Sequence, residues 1–137
     1  MNDRFRFRAY YYNDVFNEWM IYENPEFITG DGTCRVFDNG ESGADEWREN
    51  VILCQCTGLK DKNGKLIYEK DIIRFHFDNN EIIAIIEWDN NESRFYLNTT
   101  DYFKDKYVTD YEIVKQEKYE VIGNIYKNKK LLQESEV

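Results

Sequence analysis

The chain has 137 residues, 42% of them hydrophobic and 17% aromatic, which suits one domain with its own core and excludes a disordered tract. Its 18 basic and 27 acidic residues give a net charge of -9, which repels nucleic acid and anionic membranes at long range and favours a basic partner. No run approaches the roughly 20 apolar residues of a membrane span, and the Asp3–Arg8 opening lacks the apolar centre of a secretion signal, so a cytoplasmic setting is expected.

Taken in chain order, Arg4 to Tyr12 sets arginines against Phe5, Phe7 and Ala9 with period two, the pattern of a half-buried strand. Asn13-Asp14 breaks it, and Phe16 to Tyr22 reads as the returning strand, with Trp19 and Ile21 on one side and Met20 and Tyr22 on the other. Pro25 opens an irregular stretch. Thr33 to Phe37 suits a short strand, Asp38 to Gly43 a loop, and Ala44 to Asn50 a helical turn or nothing regular. Val51 to Cys56 is a short β-type run, punctuated by Thr57-Gly58.

The next turn is strongly marked. Asp61-Lys62-Asn63-Gly64 carries the Asn-Gly pair that tolerates the positive φ of tight hairpins. Strands are then expected over Asp71 to Phe77, Ile82 to Trp88 and Arg94 to Leu97, joined by two Asp-Asn-Asn turns into a β-meander. Ile82-Ile83-Ala84-Ile85-Ile86 is apolar at every position, so this strand is expected to be covered on both faces, as in a barrel or under a second sheet. Thr99 to Tyr107 is polar, Asp110 to Lys118 is ambiguous between helix and strand, Tyr119 to Tyr126 reads as the last strand, and Asn128 to Ser135 suits a short terminal helix. The predicted fold is mainly β, a barrel-like single domain over residues 1–137 with a β-meander and a short C-terminal helix.

The residues that carry chemistry are sparse. His76, the single histidine, sits between Phe75 and Phe77 and reads as a rim residue rather than a base or ligand. Cys54 and Cys56 share one strand face about 7 Å apart, poor spacing for a disulfide, and with Cys34 they do not match the paired spacing of a zinc site. Asp38, Glu41, Asp45, Glu46 and Glu49 lack the spacing of a calcium loop and read as a solvated stretch. Glu87 and Asp89 flank Trp88 as an ordinary pair of surface carboxylates. No phosphate-cradling glycine motif is present, so no cofactor, metal or catalytic residue is assigned. Two basic patches stand out within the acidic whole: Arg4, Arg6 and Arg8, and Lys60, Lys62, Lys65 and Lys70 leading to Arg74. The second encloses Asp61, Glu69 and Asp71, which weakens the case for nucleic-acid binding.

Three segments, Phe7-Arg8-Ala9, the stretch from Gln55 to Ile73, and Tyr119 to Tyr126, together resemble in order and spacing the YopX-like proteins of phages and prophages. Phe7-Arg8-Ala9 resembles their opening run. The stretch from Gln55 to Ile73, with Thr57-Gly58-Leu59-Lys60-Asp61-Lys62-Asn63-Gly64-Lys65 at its centre, is similar to their long internal motif, and Tyr119-Glu120-Val121-Ile122-Gly123-Asn124-Ile125-Tyr126 to their ending. Tyr10 stands where those proteins usually have Trp, Lys127 replaces a usual acidic residue, and Phe27 to Asn50 aligns with nothing in them. Lys70 stands where they often have Gly, so a glycine-only backbone conformation is not expected there.

The resemblance implies a mostly β, barrel-like phage domain and no activity. In it Thr57-Gly58 and Asn63-Gly64 read as turn residues, Asp71 as a brace for the following strand, and Gly123-Asn124 as a bulge or close approach. The leading expectation is a non-enzymatic module that binds a host or phage protein. Its candidate surfaces are Lys60, Lys62, Lys65 and Lys70, and an aromatic edge of Tyr10, Tyr11, Tyr12 and Trp19. On this reading Tyr11→Ser weakens binding at little expense of stability. Single-stranded nucleic-acid binding, a metal-dependent hydrolase built on carboxylates and His76, and self-association through a sheet edge are the alternatives.

Overall fold

The computed structural model describes residues 6–23, 27–28, 34–39, 45–48, 51–77, 79–98, 110–111 and 118–134. These residues form antiparallel strands and one short helix, in two compact units divided after Cys56. Among them, no helix is long and apolar enough to cross a membrane.

In the first unit, β1 (Phe7–Asn13) and β2 (Glu18–Glu23) form the expected hairpin, with Tyr12 opposite Trp19 and Ala9 opposite Tyr22. The start of β6 (Ile52–Lys60) pairs with the other edge of β1, Ala9 opposite Leu53. Alternation then sorts the side chains. Ala9 and Tyr11 gather Met20, Tyr22, Val51 and Leu53 on one face. Tyr11 stacks on Tyr22 with ring centroids 5.7 Å apart. On the opposite face Tyr10 is fully buried, its hydroxyl accepting from Arg8 at 3.3 Å.

This corrects the expected aromatic edge. β1 is central between β2 and β6 and forms no sheet edge, and Tyr10 and Tyr11, on its opposite faces, are both buried core residues; of the three tyrosines only Tyr12 is exposed. Cys54 and Cys56 are both buried and form no disulfide with each other, in line with their spacing.

The same unit holds a small sheet of β3 (Phe27–Ile28), β4 (Cys34–Asn39) and β5 (Asp45–Arg48). β4 takes in Asp38, where a loop was expected, and β5 stands where a helical turn or nothing regular was expected; Asp38 pairs with Glu46 and Asn39 with Asp45. Pairing with β4 supplies the order that the charged Asp45-Glu46-Trp47-Arg48 segment does not encode by itself. Asp31-Gly32, Glu41 and Glu49 lie outside the described residues.

The second unit begins inside β6, which runs through Thr57-Gly58 rather than ending there. Gly58 takes a φ of 87°, which lets the strand continue through an irregularity. The outgoing half of β6 and β7 (Leu66–Tyr68) form a hairpin, with the Thr57 hydroxyl donating to the Ile67 carbonyl at 2.8 Å. The meander follows as expected: β8 (Asp71–Phe77), β9 (Asn80–Asp89) and β10 (Arg94–Asn98). β11 (Asp110–Tyr111) and β12 (Glu120–Asn124) complete a five-stranded sheet in the order β11-β10-β9-β8-β12. Asp78, the polar Thr99 to Tyr107 stretch and residues 112–117 lie outside the described residues.

Ile82 to Ile86 is covered on both sides. Ile82, Ala84 and Ile86 pack with Ile73, Phe75, Leu97 and Tyr119 beneath Ile67 and Leu59 of the β6–β7 hairpin. Ile85, with Ile83, packs with Ile72, Ile122, Ile125 and Leu131 and Leu132 of the terminal helix α1 (Lys130–Glu134). The result is a half-barrel capped outside by a helix. Asp71 is fully buried and accepts from the Tyr68 amide at 2.8 Å, so it ties back to the end of β7 across the turn, where a brace for the following strand was expected. β12 bulges between Val121 and Gly123, and a Cβ on Gly123 would lie 2.5 Å from Asn128 Oδ1, so both readings of that glycine hold.

One carboxylate ties the hairpin to the sheet. Asp61 Oδ1 accepts from the amides of Asn63 at 2.8 Å and Lys65 at 2.9 Å, building the turn around Gly64, whose φ is 82°. Its other oxygen accepts from the Val121 amide on β12 at 2.9 Å, beside a bond from the Lys62 amide to the Tyr119 carbonyl at 2.8 Å. Burial opposes ionisation of this carboxyl, but the three amide donors and the Lys65 charge outweigh it and hold the group below its ordinary value.

Two predictions follow from these positions. A group whose folded pKa is depressed stabilises above its unfolded pKa and loses that stabilisation as pH falls through the folded value. Asp61→Asn keeps one carbonyl acceptor but turns an amide toward the Val121 N–H; it is expected to lose about 2 kcal/mol in urea unfolding at pH 7. The gap to the parent should narrow below about pH 4, where the unfolded aspartate becomes protonated. Separately, Tyr11→Ser should lose about 3 kcal/mol or more by opening the core, while Tyr12→Ser should lose under about 1 kcal/mol. Equal melting temperatures for the two variants would show that the Tyr11 face is not a core.

Candidate interaction surfaces

The lysine group divides. Lys60, Lys62 and Lys65 are exposed around the β6–β7 turn, and Lys118 is exposed next to Tyr119, which accepts from the Lys62 amide. Lys62 also lies 3.9 Å from Glu120, which is held by Arg74. That contact keeps the Glu120 carboxyl below, and the Arg74 guanidinium above, their ordinary values. The exposed lysines therefore stand beside acidic groups, and the local positive charge is small.

Lys70 is different. It is half-buried and takes a φ of 71°, in the left-handed region, against the expectation that a lysine there would avoid it. Its backbone has no freedom to relax: its amide donates to the Ile86 carbonyl at 2.7 Å and its carbonyl accepts from the Ile125 amide at 3.1 Å. The conformation costs about 1–2 kcal/mol for a residue with a Cβ. The side chain offsets part of that, its ammonium donating to Glu87 at 3.0 Å. Asn98 at 2.7 Å and Tyr96 at 3.2 Å donate to the second Glu87 oxygen. Burial alone would raise the Glu87 pKa; Lys70, Asn98 and Tyr96 together bring it below its ordinary value. Lys70 thus belongs to a satisfied network on the sheet and not to the open basic patch.

Other candidates resolve into structure. Asp89 Oδ1 accepts from the Asn91 amide at 2.8 Å and so shapes its own turn. His76 is exposed, as its place on the rim suggested. Arg8 pairs with Glu23 at 3.0 Å across the hairpin and is mostly covered, and Arg4 lies outside the described residues. Among the described residues no group of three or more His, Cys, Asp or Glu side chains could hold a metal ion.

Two residues of the expected aromatic edge, Tyr12 and Trp19, lie toward the tip of the first hairpin. Tyr12 is 46% exposed and Trp19 half-buried, their rings meeting edge to face at 5.6 Å. Beyond them Val15 is 68% and Phe16 50% exposed, and Ile52 on the neighbouring strand is 40% exposed. Tyr12 and Ile52 share a face, since Ile52 pairs with Tyr10, two residues before Tyr12. The tip is held in shape: Asn13 Oδ1 accepts from the amides of Val15 at 2.8 Å and Phe16 at 3.1 Å, and Asn17 takes a φ of 53°. Sequence reasoning passed over Val15 and Phe16 because Phe16 read as the start of the returning strand. The available signal was two large apolar residues directly after an Asn-Asp turn, where turn chemistry does not ask for them.

The YopX protein family matches residues 6–133, nearly the whole chain and including the Phe27 to Asn50 region. The chain is similar in structure to protein EF1440 from Enterococcus faecalis, known from a crystal structure, at 27% identity and a TM-score of 0.53, over 93% of this chain and 96% of that one. No curated protein matches it significantly. With a match of this extent, and the turn, bulge and brace residues of the shared motifs all in structural roles, the chain belongs to the YopX family.

Proposed function

We propose that this chain is a non-enzymatic phage or prophage accessory module that works in the cytoplasm by binding a host or phage protein, and that the tip of the β1–β2 hairpin is its contact surface. The observation that carries this reading is the exposure of Val15 and Phe16 on a turn already rigid through Asn13. A rigid apolar tip loses little conformational freedom on binding, and aromatic side chains are frequent anchors of interfaces. The reading gives no catalytic role to His76, which is exposed on the rim, or to Glu87 and Asp89, which take part in a network and a turn.

The test is affinity capture from host or infected lysate with the parent chain and a Val15→Ser/Phe16→Ser variant, with and without nuclease. Both substituted residues are exposed, so the variant is expected to melt within a few degrees of the parent, a stability change below about 0.5 kcal/mol. A stoichiometric protein that survives nuclease and is lost by the variant supports the reading. A partner kept by the variant overturns it. Recovery lost on nuclease treatment would instead shift attention to Lys60, Lys62 and Lys65.

A further inference from the structure

The two apolar residues of the tip are bracketed by charge of one sign. The turn reads Asn13-Asp14-Val15-Phe16-Asn17-Glu18, and Asp14 and Glu18 are both exposed. No basic residue lies between Asn13 and Trp19. The nearest arginine on the hairpin with its pairing settled, Arg8, is held by Glu23 at the far end of the strand pair. An apolar centre with a polar rim is the usual anatomy of a protein interface, and here both charged residues of the turn itself are acidic.

We infer that the partner of this tip is a basic protein surface or segment, with apolar side chains set among lysines and arginines. The inference rests on the proposed binding role of the same tip and adds the chemistry of what it binds. A second copy of this chain is a poor occupant: pairing two tips would set Asp14 and Glu18 against their own copies, on chains that each carry a net charge of -9. Nucleic acid is poorer still, since phosphates would face the same carboxylates. A basic partner satisfies both parts of the surface. Its apolar groups cover Val15, Phe16 and Tyr12, while its cations meet the rim and speed the encounter.

The probe is a synthetic peptide of alternating lysine and leucine. Glutamate–leucine and lysine–serine peptides of equal length serve as controls, and binding to the full chain is followed by anisotropy and by amide shift mapping. The lysine–leucine peptide should bind with shifts centred on residues 12–19 and weaken as salt rises from about 50 to 300 mM, over which exposed charges become screened. Val15→Ser/Phe16→Ser should weaken it about tenfold, as for a truncated interface anchor. Asp14→Asn/Glu18→Gln should weaken it about threefold and flatten the salt dependence, as for exposed ion pairs. Equal binding of the glutamate–leucine or lysine–serine peptide overturns the inference, as do shifts centred elsewhere or no effect of the charge variant. The two readings separate in the lysate experiment. If the partner is lost by the apolar variant and kept by the charge variant, the tip is an interface and its partner is not basic; if both variants keep the partner, the tip is not the interface.

Discussion

The second unit depends on the three amide bonds to Asp61. A β-hairpin alone is marginal in water, and β6–β7 is short, with β7 only three residues long. Its apolar residues Leu59 and Ile67 join a core only when the hairpin lies across the sheet. Asp61 fixes both parts of that geometry. One oxygen defines the turn through Asn63 and Lys65, and the other reaches β12 through Val121, 60 residues away in sequence. A neutral acceptor could build the turn; a buried carboxylate shared among three amides also sets where the turn sits.

The same device recurs on a smaller scale. Asn13 and Asp89 bind the amides two and three residues ahead. Asn124 does so for Tyr126 and Lys127, and its own amide donates to Asn128. These side chains replace the prolines and most of the glycines that commonly shape turns. The chain can therefore carry one proline and seven glycines and still connect many short strands. The left-handed residues Asn17 and Ser93 fall at such turns too, and Asn79 takes that region just before β9, Asn being among the residues that tolerate it best. Lys70 is the exception. It holds the conformation because two backbone bonds and the Glu87 contact over-determine it.

Much of the fold was legible because it is written in local chemistry. The meander followed from Asp-Asn-Asn turns between apolar runs, and the double cover of β9 from five successive apolar residues. What failed was non-local. Three tyrosines in a row give no sign that β1 has strands on both sides, so Tyr10 and Tyr11 were assigned to an edge they do not form. Asp45 to Arg48 has no alternation of its own and becomes a strand by pairing with β4. Gly58 looked like a stop because glycine usually punctuates, yet its φ of 87° serves to carry β6 onward. Of the aromatic residues named from sequence, Tyr12 is exposed and Trp19 half-buried, and Lys70 was misplaced because its partner Glu87 is 17 residues away.

Residue choice at the first hairpin tip bears on why a binding reading attaches there and not to the lysine turn. Every residue of the Asp61-Lys62-Asn63-Gly64 turn has a folding reason: Asp61 ties it down, Asn63 and Lys65 donate to that carboxylate, Gly64 takes the positive φ, and exposed lysines keep it soluble. At the first tip Asn13 and Asn17 have such reasons, while Val15 and Phe16 have none. A β-branched and an aromatic residue are poor turn formers, they are largely exposed, and neither belongs to the core of their unit. Polar residues would fold as well and keep the chain more soluble. Places where local chemistry and structure disagree without a compensating contact are where selection for something other than folding is expected to act, and among the described turns this tip shows that disagreement most plainly.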